Sequence, residues 1–212
     1  MNFRTEVQIE KSPTKINHNQ KILLLGSCFA QNMQVKFAEG GFEAMHPFGA
    51  IYNPYSVSNS FKLIKECKKI NAEDLFFQKG LWNSYSFHSS YSNADKDIAL
   101  AQMNNTIGTA NEILNSTNPV IIITLGTSWV YELNETGNIV ANCHHSLSSD
   151  FTRRFMDVEE IINILRPICE TSARIIFTVS PVRHLKDGAH ENQLSKSRLL
   201  LAVDKLISEY DN

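Results

Sequence analysis

Three short runs of apolar residues punctuate the chain: KILLLG at 21–26, VIIITLG at 120–126 and RIIFTVS at 174–180. They are continuous and rich in leucine and β-branched residues, without polar alternation, which is the pattern of parallel strands buried on both faces. Helical patterns lie between and after them, at 29–37, 55–67, 94–114, 156–169 and 191–210. In the fourth, Val158, Ile161, Ile162 and Leu165 recur at the spacing of one helix face, and Pro167 predicts a kink or an early end. In the last, Leu199, Val203, Leu206 and Tyr210 share a side. The stretch EDLFFQKGLWNSYSFHSSYS, 73–92, alternates apolar and polar residues and predicts an extended or hairpin insertion. Strands alternating with helices predict an α/β fold with a parallel sheet.

The 212 residues predict one domain spanning 1–212. Three strong strands are fewer than the usual about five of such a sheet, so a further strand and a C-terminal segment are expected beyond Asn212. Hydrophobic residues make up 42% and charged residues 20%, which suits a packed core and excludes a disordered chain. The net charge of −2 gives no field to hold a polyanion, so no nucleic acid partner is expected. No apolar run approaches a membrane span, and the polar N-terminus lacks the apolar stretch of a signal peptide, so no membrane partner and a cytoplasmic location are expected. Cys28, Cys67, Cys143 and Cys169 show no close pairing and are expected as thiols. Cys143-His144-His145 lacks a second ligand pair, so neither a metal nor another cofactor is expected.

In open α/β sheets ligands bind at the carboxyl ends of the strands. The residues there are Gly26-Ser27-Cys28, Gly126-Thr127-Ser128 and Ser180-Pro181-Val182-Arg183-His184. A strand-to-helix turn offers free backbone N–H groups and the positive end of a helix dipole, which stabilise an oxyanion or a thiolate. Ser27 and Cys28 are both candidate nucleophiles in the first of these turns.

GSCFA at 26–30 is the pentapeptide for which the GSCFA domain family is named. HPFGAIYNP (46–54), LWNSYSFHSSYS (81–92), TLGTSWVYE (124–132), VANCHH (140–145) and VSPVRHLKDGAHENQLSKSRLLLA (179–202) resemble that family's other signature stretches, in order. The family is grouped with SGNH/GDSL-like esterases and acyltransferases. The resemblance implies a three-layer sandwich with a flavodoxin-like parallel sheet. The implied chemistry is covalent acyl-enzyme chemistry on an ester, a thioester or an acylated glycan. An inactive SGNH-like domain that binds a ligand or partner is the alternative.

Alignment at Gly26 puts Cys28 on the SGNH nucleophile position, and a shift of one puts Ser27 there. Gly49 resembles the glycine that completes the oxyanion hole. Gly126 and Ser128 stand where the superfamily has Gly-x-Asn, and the shorter serine leaves room for Asn53 or Asn142 to assist. DGAH, 187–190, resembles the Asp-x-x-His pair, giving Asp187 and His190, although Glu191 replaces the usual proline and the family looks as if it carries a further Asp-x-x-His beyond this region. His184 is the next candidate base, with His88 and His144 behind it. Trp82, with Phe87 and Tyr91, is a candidate pocket wall, and Arg183 with Lys186 suits a phosphate or carboxylate.

Overall fold

The computed structural model describes residues 14–210, together with Gln8, Lys11 and Ser12. In chain order the elements are β1 (Ile22–Gly26), α1 (Cys28–Glu39), β2 (Ala44–Met45), α2 (Pro54–Lys65), β3 (Phe76–Gln78), β4 (Leu81–Asn83), α3 (Lys96–Leu114), β5 (Val120–Leu125), β6 (Trp129–Leu133), β7 (Ile139–Val140), β8 (Phe151–Phe155), α4 (Val158–Cys169), β9 (Arg174–Val179) and α5 (Gly188–Glu209).

The three apolar runs form β1, β5 and β9, and with β2 they make a parallel sheet in the order β2-β1-β5-β9. Numbered within this sheet the order is 2-1-3-4, the doubly wound arrangement in which ligands sit where the order reverses. Here that point lies between β1 and β5. Side chains alternate across the sheet. Leu23, Leu25, Ile121, Ile123 and Leu125 join α2, α3, α4 and α5 in the larger core cluster. Ile22, Leu24, Val120 and Ile122 pack with Ala30, Met33 and Phe37 of α1 on the other face. The result is a three-layer α/β sandwich. Strand β9 pairs with β5 on one side only among the described residues, and its side chains are half-buried.

Two features depart from the pattern reading. Strand β2 is too short for a periodic signal, and helix α4 runs two residues past Pro167 instead of ending early. The proline sits in the last turn, where a missing N–H removes little helix, and the nearby Ile164 carbonyl accepts from Ser58 Oγ of α2 at 2.7 Å. The 73–92 stretch contains the β3–β4 hairpin. A further antiparallel sheet, β7-β6-β8, follows β5. Among the described residues no helix is long and apolar enough to cross a membrane.

Candidate active site

Gly26 makes the abrupt turn possible. Its φ is +127°, and a Cβ there would lie 2.1 Å from the Thr124 carbonyl oxygen of β5. The next residue crosses to the neighbouring strand, Ser27 N–H donating to that same carbonyl at 3.1 Å. Ser27 is then the N-cap of α1: its side chain is buried and Oγ accepts from Phe29 N–H at 3.3 Å. Cys28 is the first helical residue and its thiol is exposed. The two adjacent candidates are thus placed differently, one turned inward as a cap and one facing solvent.

The 46–54 stretch lies across the ends of β1 and β5. Ile51 N–H donates to the Gly26 carbonyl at 2.9 Å, and the Tyr52 carbonyl accepts from Gly126 N–H at 2.8 Å and Thr127 N–H at 3.1 Å. The Tyr52 ring rests on Gly126, where a Cβ would meet Cδ1 at 3.0 Å. Burial first, and the neighbouring Cys28 second, push the Tyr52 phenol up, so it stays protonated. Asn53 caps α2 through Oδ1, which accepts from Ser56 N–H at 2.8 Å. Gly49 N–H closes a tight turn on the Pro47 carbonyl at 2.8 Å. A Cβ at Gly49 would lie 2.5 Å from the His88 Cβ, and His88 N–H donates to the Phe48 carbonyl at 2.8 Å, so the 46–54 and 81–92 stretches interlock.

At the end of β5, Ser128 is fully buried. Its N–H donates to Ser195 Oγ at 2.8 Å and its hydroxyl to the same atom at 3.2 Å. Lys196, the next residue of α5, donates to the Gly126 carbonyl. Gly126 and Ser128 therefore have both their N–H groups, and Ser128 its hydroxyl, engaged within the fold.

Beyond β9, Asp187 is buried at the start of α5. One carboxylate oxygen pairs with Arg153 and the other with His184 Nδ1 at 3.1 Å. Arg153 is fixed in turn by Trp129, whose ring centroid lies 3.7 Å from the guanidinium carbon. Asp187 thus orients His184, whose ring is largely exposed. His190 lies on the first turn of α5 and is also exposed.

Three further histidines, His46, His88 and His144, form a separate group. His46 is buried and its Nε2 meets the Gly26 carbonyl at 3.2 Å; His144 is buried with Nε2 2.7 Å from the Ser84 carbonyl. Both carbonyls accept, so each ring holds its proton on Nε2. His88 lies close enough to repel the charged form of each. Asn142 Oδ1 accepts from His144 N–H at 2.9 Å, holding the bend that buries that ring. Trp82 sits in β4 with the Lys96 ammonium 4.5 Å from its ring centroid, and Arg183 is exposed on the loop after β9. Among the described residues no group of three His, Cys, Asp or Glu side chains is placed to hold a metal ion. A shallow groove of about 520 Å³ runs along α3 from Ile98 to Thr109, but no titratable side chain lines it.

His46, Tyr52, Arg153 and Lys196 were not singled out by the residue patterns. His46 and Tyr52 lie inside the 46–54 signature and Lys196 inside the 179–202 signature, but Arg153 is brought in by β8 from sequence that reads as ordinary surface.

Burial, the first cause, lowers the affinity of both His46 and His144 for a proton below the usual value of 6.5, against the opposing pull of their carbonyl partners. The unfolded chain then binds protons that the fold does not, so stability is full above about pH 6.5 and falls as pH drops towards the lowered folded values. The slope is at most about 2.7 kcal/mol per pH unit for two groups. Urea midpoints measured between about pH 7.5 and about pH 5 are expected to fall, and His46→Gln to reduce that fall.

An exposed cysteine at a strand-to-helix turn, on the carboxyl end of a doubly wound sheet and near Tyr52, marks the candidate site of a parallel α/β domain. The GSCFA family model matches residues 21–212, and the chain belongs to that family. Neither the curated proteins nor the solved structures provide a match.

Proposed function

We propose that this domain is an SGNH-like acyl-transfer enzyme, an esterase or O-acyltransferase, with Cys28 as its nucleophile. The observation that carries this reading is the contrast within the turn: Cys28 is exposed at the first position of α1, whereas the Ser27 hydroxyl is buried and engaged as a cap. The thiol loses its proton to a base and Sγ attacks the carbonyl of an ester or thioester. The oxyanion that forms faces the Cys28 N–H, which has no carbonyl four residues back within the helix, and the protonated Tyr52 phenol. Collapse expels the alkoxide or thiolate with a proton and leaves an acyl-cysteine, which water or a sugar hydroxyl then resolves.

His184, oriented by Asp187, is the base in this scheme, in preference to His190. Neighbouring strands are about 4.8 Å apart, so the ends of β1 and β9, with β5 between them, are separated by about 10 Å. That span suits a base acting on the acceptor hydroxyl, or through one water, better than direct contact with Sγ. Binding without turnover is favoured instead by the engaged N–H of Gly126 and hydroxyl of Ser128, which leave the turn with fewer oxyanion donors.

Peptide-mapped mass spectrometry after separate treatment with a fluorophosphonate and a chloroacetamide discriminates the readings. Fast chloroacetamide labelling of Cys28 is expected, unchanged in Ser27→Ala and absent in Cys28→Ala. A fluorophosphonate adduct on Ser27 moves the nucleophile to serine. Labelling of Cys28 no faster than that of Cys67, Cys143 and Cys169 leaves the binding-domain reading in place of the enzyme.

A further inference from the structure

Lys196 is a half-buried cation that makes no ion pair with a carboxylate among the described residues. From α5 its ammonium reaches the carboxyl end of β5 and donates to the Gly126 carbonyl. Ser195, beside it, fixes that part of α5 by accepting from Ser128 N–H. The nearest influence of opposite sign is Asp187, but both oxygens of that carboxylate are held, one by Arg153 and the other by His184. Burial disfavours the charged form of Lys196, and Asp187 offsets this in part. A desolvated positive charge whose direct partner is one backbone carbonyl gains by meeting an anion.

The position of that charge matters. Gly126 carries Lys196 on its carbonyl and the Tyr52 ring against its Cα, and Tyr52 in turn neighbours Cys28. The cation and the nucleophile are therefore linked through one glycine and one aromatic ring, at the point where the sheet order reverses. Arg183 and Lys186, exposed on the loop after β9, add positive charge at that end of the sheet.

We infer that Lys196 receives a carboxylate or phosphate carried by the acyl donor, so that the domain selects anionic donors over neutral ones. This rests on the reading of Cys28 as the nucleophile. It assigns to Lys196 a positioning role through charge, while the bond that forms is still Sγ to the acyl carbon.

The thiol itself reports the field of Lys196 when it is alkylated with iodoacetate, an anion, and with iodoacetamide, its neutral counterpart. Peptide-mapped rates at Cys28, each divided by the rate for free N-acetylcysteine, are expected to favour iodoacetate by about three- to tenfold. Lys196→Met is expected to bring that ratio to within about twofold of unity, whatever change in thiolate fraction it brings to both reagents alike, and Lys196→Arg to keep the preference. A preference that survives Lys196→Met belongs to the helix dipole and overturns the inference, as does the absence of any preference in the wild type. A Cys28 inert to both reagents overturns the acyl-transfer reading and this inference together, so the two failures are distinguishable.

Protection of wild-type Cys28 from iodoacetamide, at constant ionic strength, provides a test that needs no variant to fold. Succinate and inorganic phosphate are compared with neutral succinamide. Protection by succinate identifies a carboxylate donor and protection by phosphate a phosphorylated one. Equal effects of all three compounds overturn the inference.

Discussion

Gly26→Ala is expected to destabilise the fold by about 3 kcal/mol or more, lowering the melting temperature by about 6–12 °C. Two independent costs combine at this position. The backbone there has a φ that L residues rarely adopt, and the added methyl carbon would sit 2.1 Å from the Thr124 carbonyl oxygen. Relief requires β1 and β5 to separate at their ends, which breaks the Ser27 N–H bond to that carbonyl and loosens the contact between Ile51 and Gly26. The nearby turns offer a control. Gly80 and Gly137 also have positive φ, at 81° and 71°, but open space around the missing Cβ. Alanine there is expected to cost only about 1 kcal/mol. Thermal melts of the three variants check this, and a Gly26→Ala melt equal to that of Gly80→Ala would contradict the geometry of the turn.

Cys28→Ala is expected to reduce turnover of an activated ester such as para-nitrophenyl acetate by about a thousandfold or more while leaving stability nearly unchanged. The thiol is exposed, so its removal opens no cavity; its loss is purely chemical. Ser27→Ala is expected to show the reverse balance. The buried hydroxyl is a cap, so its removal costs about 1 kcal/mol of stability, with a much smaller loss of rate. Melting temperature and kcat/KM measured on both variants separate the two roles. Substantial turnover by Cys28→Ala, or complete loss in a folded Ser27→Ala, reverses the assignment within the turn.

The sheet was legible because β1 and β5 are buried on both faces, and 21–26, 120–126 and 174–180 are continuous apolar runs broken by few polar residues. Strand β2 was not, since two residues have no period and pair with β1 only because the chain brings them there. Strands β6 and β8 carry glutamate and arginine among their apolar residues, and Arg154 of β8 pairs with Glu132 of β6 and with Glu160 of α4, contacts that no local pattern announces. The site divides in the same way. The turn at Gly26 is local and its residues declare it. Spacing pairs Asp187 with His190, but at the start of α5 the carboxylate turns back to His184 and Arg153. Lys196 reads as one polar position on an amphipathic helix, and its meeting with Gly126 is tertiary.

The three glycines at the site differ in how freely their positions can drift over generations. Gly126 has an ordinary φ and its closest neighbour is the Tyr52 ring, at 3.0 Å, so a lineage that shrinks residue 52 relieves the tightest contact and leaves only the Tyr52 Cβ and carbonyl oxygen, at 3.3 and 3.4 Å. Gly49 faces the His88 Cβ and also has a φ of 70°, so only a glycine at 88 would remove the 2.5 Å contact, and the backbone constraint would remain. Gly26 opposes backbone, and no side-chain substitution elsewhere can make room for it. The glycine that opens the signature pentapeptide is therefore irreplaceable by geometry, whatever chemistry the next two residues come to perform.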